Sequence, residues 1–313
     1  MHITDRLYNK KWGIFNHYLY STAVDGNMTW NEAVHKIDVK KLAEQLHEMG
    51  AGYYFITLCQ GKRYLLTPNE TYNKLTGALP GEACSDRDVI LELYEELEKY
   101  GIDLYLYFPS DGPHFDKEFG EKLGFCYEPD EVWNMETGKL RPPEENKVLS
   151  EKRLTEKFVK NWSSVLYEYS MRYGKKVSGW WLDGFYDFFG FNNENMKFFY
   201  EAAKAGNPDA IVAFNGGVKE KTRKWFVGEE YTAGEFNELE YVPESRFTHD
   251  GAQNHILAPL GSTWGKKDAR YSNEYMRDYI NRVNKNGGVV TVDIKIYADG
   301  SFEKEQIQAM TMR

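Results

Sequence analysis

The chain has 313 residues, a formal net charge of −9 and a hydrophobic fraction of 42%, a globular composition that argues against disorder. No stretch concentrates Lys and Arg on one side, which argues against nucleic acid as a partner, and no apolar run reaches membrane-spanning length. Cys59, Cys84 and Cys126 are an odd number without metal-type spacing, so neither a disulfide framework nor a zinc knuckle is expected.

No signal-peptide pattern opens Met1-His2-Ile3-Thr4-Asp5-Arg6, so a cytoplasmic protein is expected. Trp12-Gly13-Ile14-Phe15 reads as a first strand, with Asn16 and His17 at its C-terminal end. Asp38 caps a helix over Val39 to Met49, which has apolar residues at helical spacing and Gly50 as its stop. Gly52 to Cys59 is a second strand, almost continuously apolar, as strands buried on both faces of a parallel sheet are. Ser85 and Asp86 cap a helix through Lys99 and Tyr100, Gly101 ends it, and Ile102 to Phe108 is a third strand. A polar excursion with Pro142-Pro143 runs to about Ser150, and a helix over Leu154 to Tyr173 follows.

Val177-Ser178-Gly179-Trp180-Trp181-Leu182-Asp183-Gly184 is a fourth strand, an apolar run that ends in a carboxylate. An ionised carboxylate there is costly unless it is paired or hydrogen-bonded. A helix near Asn195 to Ala205 leads to a fifth strand, Asp209 to Asn215. Phe226 to about Tyr231 is a weaker sixth, Ile256 to Leu260 a seventh, and Gly288 to Asp293 an eighth; helices run over Glu274 to Asn286 and from about Glu303. Alternating strands and helices with glycine stops predict a single-domain (β/α)8 TIM-type barrel over residues 1–313. The first strand lacks the Gly-rich phosphate turn that a doubly wound sheet would favour.

A barrel gathers its chemistry at the C-terminal ends of its strands. Those ends carry Asn16 and His17; Cys59 and Gln60; Ser110 and Asp111; Asp183; Asn215; one of Glu229, Glu230 and Glu235; and Asp293. Trp30, Tyr107, Trp181, Tyr186 and Trp264 lie nearby in sequence. Hydrogen-bonding groups beside aromatic faces suit a carbohydrate. No His or Cys pair has metal-ligand spacing, so neither metal nor cofactor is expected. No lysine falls clearly at a strand end (Lys295 is the nearest), which weakens a Schiff-base chemistry.

Several of these segments together resemble the catalytic barrel of the α-L-fucosidases, glycoside hydrolase family 29. They are Trp12-Gly13-Ile14-Phe15-Asn16-His17, Gly50-Ala51-Gly52-Tyr53-Tyr54, Trp181-Leu182-Asp183-Gly184, Asn207 to Val212, Gly228 to Glu235, and Gly287 through Gly300. The resemblance implies a retaining glycosidase acting on an α-L-fucoside or a related glycoside. Asp183 would be the nucleophile. Glu235 matches the family's Thr-Pro-Glu glutamate and would be the acid/base, with Glu230, Glu238 and Glu244 as further candidates. His17, Trp30, Gln60, Tyr107, Trp181, Asn215 and Trp264 would bind the sugar. Two departures stand out: Leu58-Cys59-Gln60-Gly61 replaces the family's His-His-Asp-Gly, and the usual C-terminal β-sandwich is not expected. The alternative expectation is a carbohydrate-binding barrel that does not hydrolyse.

Overall fold

The computed structural model describes residues 2–127, 133–134, 139–140, 154–186 and 189–312. Most of the excursion expected before Ser150, including Pro142-Pro143, lies outside them. Seven parallel strands form the main sheet: β1 (Trp12–Asn16), β2 (Tyr53–Thr57), β3 (Asp103–Pro109), β4 (Val177–Asp183), β5 (Ile211–Phe214), β6 (His255–Pro259) and β7 (Val289–Asp293). Their order is β5-β4-β3-β2-β1-β7-β6. Between them run helices Val39–Met49, Val89–Glu98, Glu156–Tyr173, Asn193–Lys204 and Asn273–Lys285, with Lys304–Met310 last.

Local chemistry sets these boundaries. The Asp38 carboxylate accepts the Lys41 N–H at 3.0 Å, and Gly50 takes a left-handed conformation to close the helix. The next helix begins later than its expected Ser85–Asp86 cap. Asp88 caps it instead, while Ser85 and Asp86 bond to Asn31. Side-chain alternation along each strand builds two cores. Ile14, Ile56, Leu106, Trp180 and Leu182 face the helices and meet Leu42 and Leu46. Phe15, Phe55, Tyr105, Tyr107, Trp181 and Leu257 fill the inside of the curved sheet. Burying an aliphatic side chain such as Leu42 contributes roughly 2 kcal/mol.

The expected closed eight-stranded barrel is not formed. The sheet is an open half-barrel that curls 232° round its axis and leaves its edges, β5 and β6, 9 Å apart. The missing member is the sixth strand expected over Phe226 to Tyr231. Its failure has a hydrogen-bonding cause. The edge-facing N–H groups of Val212 and Phe214 on β5 are taken by side chains, Glu230 Oε2 at 2.9 Å and Glu229 Oε1 at 2.6 Å. Glu229 also accepts the N–H groups of Trp225 and Phe226. Carboxylates thus occupy the donors that a sixth strand would need.

Downstream, Gly234 O accepts the Leu257 N–H at 2.8 Å and the Phe236 N–H reaches Leu257 O at 2.9 Å, which makes an isolated bridge between Glu235 and β6. Gly234 has φ +60, and a Cβ there would sit 1.8 Å from His255 O. Only glycine lets this segment approach β6 so closely.

Candidate active site

Strand alternation carries the inner face one step beyond the aromatic core. Two residues past Phe15 comes His17, past Trp181 comes Asp183, past Ala213 comes Asn215, and past Thr291 comes Asp293. Glu235 stands in the same relation to Ala233, although no regular strand carries it.

Asn215 ties the centre together. Its Nδ2 donates to Asp183 Oδ1 at 2.8 Å and to Glu235 Oε2 at 2.6 Å, while its Oδ1 accepts the Gly217 N–H at 3.1 Å. Two oxygens held by one nitrogen cannot lie farther apart than those two bonds end to end, about 5.4 Å, so the two carboxyls are neighbours across the site. The second Asp183 oxygen accepts the Tyr107 hydroxyl at 2.6 Å, and Gln60 Nε2 donates to that same hydroxyl at 2.9 Å.

These surroundings divide charge and proton unequally. Burial pushes the Asp183 carboxyl up, and the nearby Asp111 adds to this. Tyr107, Asn215 and the Gly184 N–H oppose it by holding the ionised form. Burial pushes Glu235 to about 7, with Asp183 as the second cause; Asn215 and His17 oppose it. Three donors favour the ionised form of Asp183 and one favours that of Glu235, an unequal setting for two neighbouring carboxyls. Tyr186 reports the same field: its hydroxyl is driven up first by Asp183, then by burial, Glu235 and Asp111.

The rim holds His17, whose Nδ1 faces Asp293 Oδ1 at 2.9 Å. Asp293 accepts there and takes the Gly265 N–H at 2.7 Å on its other oxygen, which fixes the imidazole's orientation. Half-buried Trp264 meets His17 edge-on, 5.5 Å between ring centroids. Beneath them Trp181 is stacked on Tyr107 at 5.4 Å and spends its indole N–H on Ala233 O. Trp181 therefore forms the floor. Trp30 is not brought to this place; it is buried among the helices and its indole N–H goes to Leu65 O at 2.8 Å.

The other glutamates are engaged elsewhere. Glu229 lies buried under three backbone donors, and burial pushes it to about 8. Glu230 binds Lys204 and Tyr200, Glu238 binds Arg270 and Tyr271, and Glu244 is exposed. Two further charged neighbours, neither given a role in the sequence reading, adjoin the pair. Asp111 is buried with its carboxyl against Gly184, where a Cβ would meet it at 2.5 Å, and His114 Nδ1 lies 3.0 Å from it. Asp111 was visible as a strand-end residue, whereas His114 follows the turn-forming Gly112-Pro113 and carried no periodic signal. Among the described residues no three His, Cys, Asp or Glu side chains converge as metal ligands, and no helix is long and apolar enough to cross a membrane.

No family model matches this sequence, and no curated protein matches it. Solved structures do. An endo-fucoidan hydrolase, P5AFcnA of glycoside hydrolase family 107, is 16% identical with a TM-score of 0.66, over 97% of this chain and 91% of that one. An α-L-fucosidase of glycoside hydrolase family 29 from Bacteroides thetaiotaomicron is 19% identical with a TM-score of 0.65, over 99% of this chain and 72% of that one. A second family 107 endo-fucoidan hydrolase, MfFcnA4, reaches a TM-score of 0.68 at 13% identity, over 99% of this chain and 53% of that one. In fold, this chain is a relative of these fucosidases and fucoidan hydrolases.

Proposed function

We propose that this protein is a retaining glycoside hydrolase acting on an α-L-fucoside or a closely related glycoside. The observation that carries the reading is the Asn215 amide, which holds Asp183 and Glu235 together within about 5.4 Å. Asp183 attacks the anomeric carbon and the glycosidic bond breaks. The departing oxygen takes the proton of Glu235. The covalent glycosyl-enzyme is then hydrolysed by a water that returns its proton to Glu235. Asn215 occupies Glu235 Oε2 and leaves Oε1 to carry the transferable proton. Support for a covalent route also comes from a structural neighbour, a family 29 α-L-fucosidase described as a trapped covalent intermediate with 2-fluoro-fucosyl fluoride.

His17, Trp264 and Gln60 would orient the sugar, His17 through its Nε2 and Trp264 through its half-exposed face. Leu58 and Cys59 stand where the family carries its two histidines, and the Gln60 amide beside them is committed to Tyr107, which is why the substrate is drawn as wide as a closely related glycoside. Two carboxyls within one amide's reach favour hydrolysis over binding alone.

The test is a screen of aryl glycosides of L-fucose, D-galactose, L-arabinose and L-galactose, with the anomer of the first product read by proton NMR. Asp183→Asn is expected to lose turnover with its fold intact by circular dichroism. Glu235→Ala should be partly rescued by azide. Wild-type rates in Asp183→Asn, or an inverted first product, would end the assignment.

A further inference from the structure

The stretch after β6 that carries Trp264 has little burial to hold it. Ser262, Thr263, Lys266, Lys267 and Asp268 are exposed, and Trp264 itself is half-buried against the inner core. A segment with so few apolar contacts depends on its polar bonds for order. Some of these are internal. Asp268 accepts the Ser262 N–H at 2.8 Å and the Ser262 hydroxyl at 3.1 Å, and the Lys266 N–H reaches Thr263 O at 3.3 Å. They set the loop's shape and not its place. Two polar contacts with other parts of the chain set its place. The Gly265 N–H donates to Asp293, the carboxylate that also faces His17. On the helix side, Gln306 Nε2 donates to Lys266 O and to Asp268 O, each at 2.8 Å.

Gln306 lies in the last helix, Lys304–Met310, at 0% exposure. A buried amide must have its polar atoms satisfied, and this one is satisfied by two loops. Its Oε1 accepts the Lys295 N–H at 2.7 Å, while its Nε2 holds the 266–268 backbone. It thus ties the Trp264 loop to the residue two steps past Asp293. The helix that carries it is braced from behind, where Asn273 Nδ2 donates to the Gln308, Ala309 and Thr311 carbonyls. We infer that Gln306 is a positioning residue for sugar binding, because it holds the loop that lays the Trp264 ring beside His17. That a sugar binds there rests on the hydrolase reading above; the hold on the loop does not. Gln306 bonds to none of Asp183, Glu235 and Asn215. Its loss should therefore weaken the bound substrate and the transition state alike, which raises KM and leaves kcat.

The hold on the loop is tested without any sugar. Gln306→Met, made in the full chain, keeps the length of the side chain and removes its donors and its acceptor. In proton–nitrogen NMR the Trp264 indole and Gly265 amide resonances should move, and the Gly265 amide should exchange about tenfold faster. The Asn215 side-chain amide should stay in place. Gln306→Glu keeps an acceptor for Lys295 and is the second variant, to be read in the same way if the first does not fold. A lower Tm with the Trp264 and Gly265 resonances unmoved would mean a purely structural glutamine and overturns the inference.

Its place in binding is read with 4-nitrophenyl α-L-fucoside. Gln306→Met should raise KM by about tenfold and leave kcat within about twofold. In a Trp264→Ala background the same substitution should change KM by less than about twofold, because a residue that acts through Trp264 then has nothing to position. A reduced kcat at unchanged KM, or a tenfold rise in KM that persists without Trp264, refutes the role. No hydrolysis of this or the other aryl glycosides, with the Trp264 and Gly265 resonances still displaced in the variant, refutes the hydrolase reading and not the hold of Gln306 on the loop.

Discussion

Replacing Asp183 by Asn should make Glu235 more acidic. Glu235 is raised to about 7 by burial first and by the Asp183 charge second. The nearer oxygens lie within about 5.4 Å, where two unit charges repel by roughly 3 kcal/mol at an effective dielectric constant of about 20. That is about two pKa units, and a site with one face open to water halves it. The expected fall is therefore about one to two units, toward the ordinary glutamate range. The assay is a carbon-13 NMR titration of glutamate-labelled protein, with the Glu235 side-chain resonance assigned from Glu235→Gln. The same loss of charge occurs in the reaction whenever Asp183 is esterified by the sugar. Glu235 would then give up its proton more readily and serve as the base of the second step. An unchanged or higher Glu235 pKa in Asp183→Asn would refute the coupling and the division of roles built on it.

Three further outcomes follow from the same contacts. Turnover of free enzyme needs Glu235 protonated, so kcat/KM should fall as pH rises through about 7; Asn215→Ala removes a donor that lowers this pKa, so the pH–rate profile should show that limb moved upward and kcat reduced by about 10²–10³. Tyr107→Phe takes the hydroxyl from Asp183 Oδ2 and should shift the acidic limb of kcat/KM to higher pH, with little change in thermal stability; an unmoved acidic limb would contradict it. Gly234→Ala forces a left-handed alanine whose Cβ meets His255 O, and should destabilise by more than about 2 kcal/mol, seen by calorimetry as a Tm lower by at least about 3 °C; an unchanged Tm would show that the segment is not held against β6.

Much of this arrangement was legible in the chain because strand alternation is a local rule. An apolar run such as Trp180-Trp181-Leu182 fixes which parity faces inward, and the next inward position is Asp183. The same count reaches His17, Asn215 and Asp293. Trp30 shows where the method stops. It lies near the first strand in sequence, but it sits in the short helix Trp30–His35, whose length is below what periodicity detects, and that helix packs outside the sheet. The helix cap fell on Asp88 rather than Ser85 or Asp86 because Asn31, distant in sequence, claims those two residues.

The lost sixth strand is the instructive error, because it falls where the proposed acid is. Tyr231 and Ala233 keep the inward parity of a strand and join the inner core, so the sequence signal was real. What fails is the ladder to β5, whose edge donors belong to Glu229 and Glu230. The 234–236 backbone bonds instead to β6, through Gly234 O and the Phe236 N–H to Leu257. With the edge open, Glu235 meets the Asn215 amide from a segment that no regular strand carries. Glu229 and Glu230, by taking the Val212 and Phe214 donors, leave Glu235 on an irregular segment. The irregularity follows the pattern in which local rules give way at a functional site.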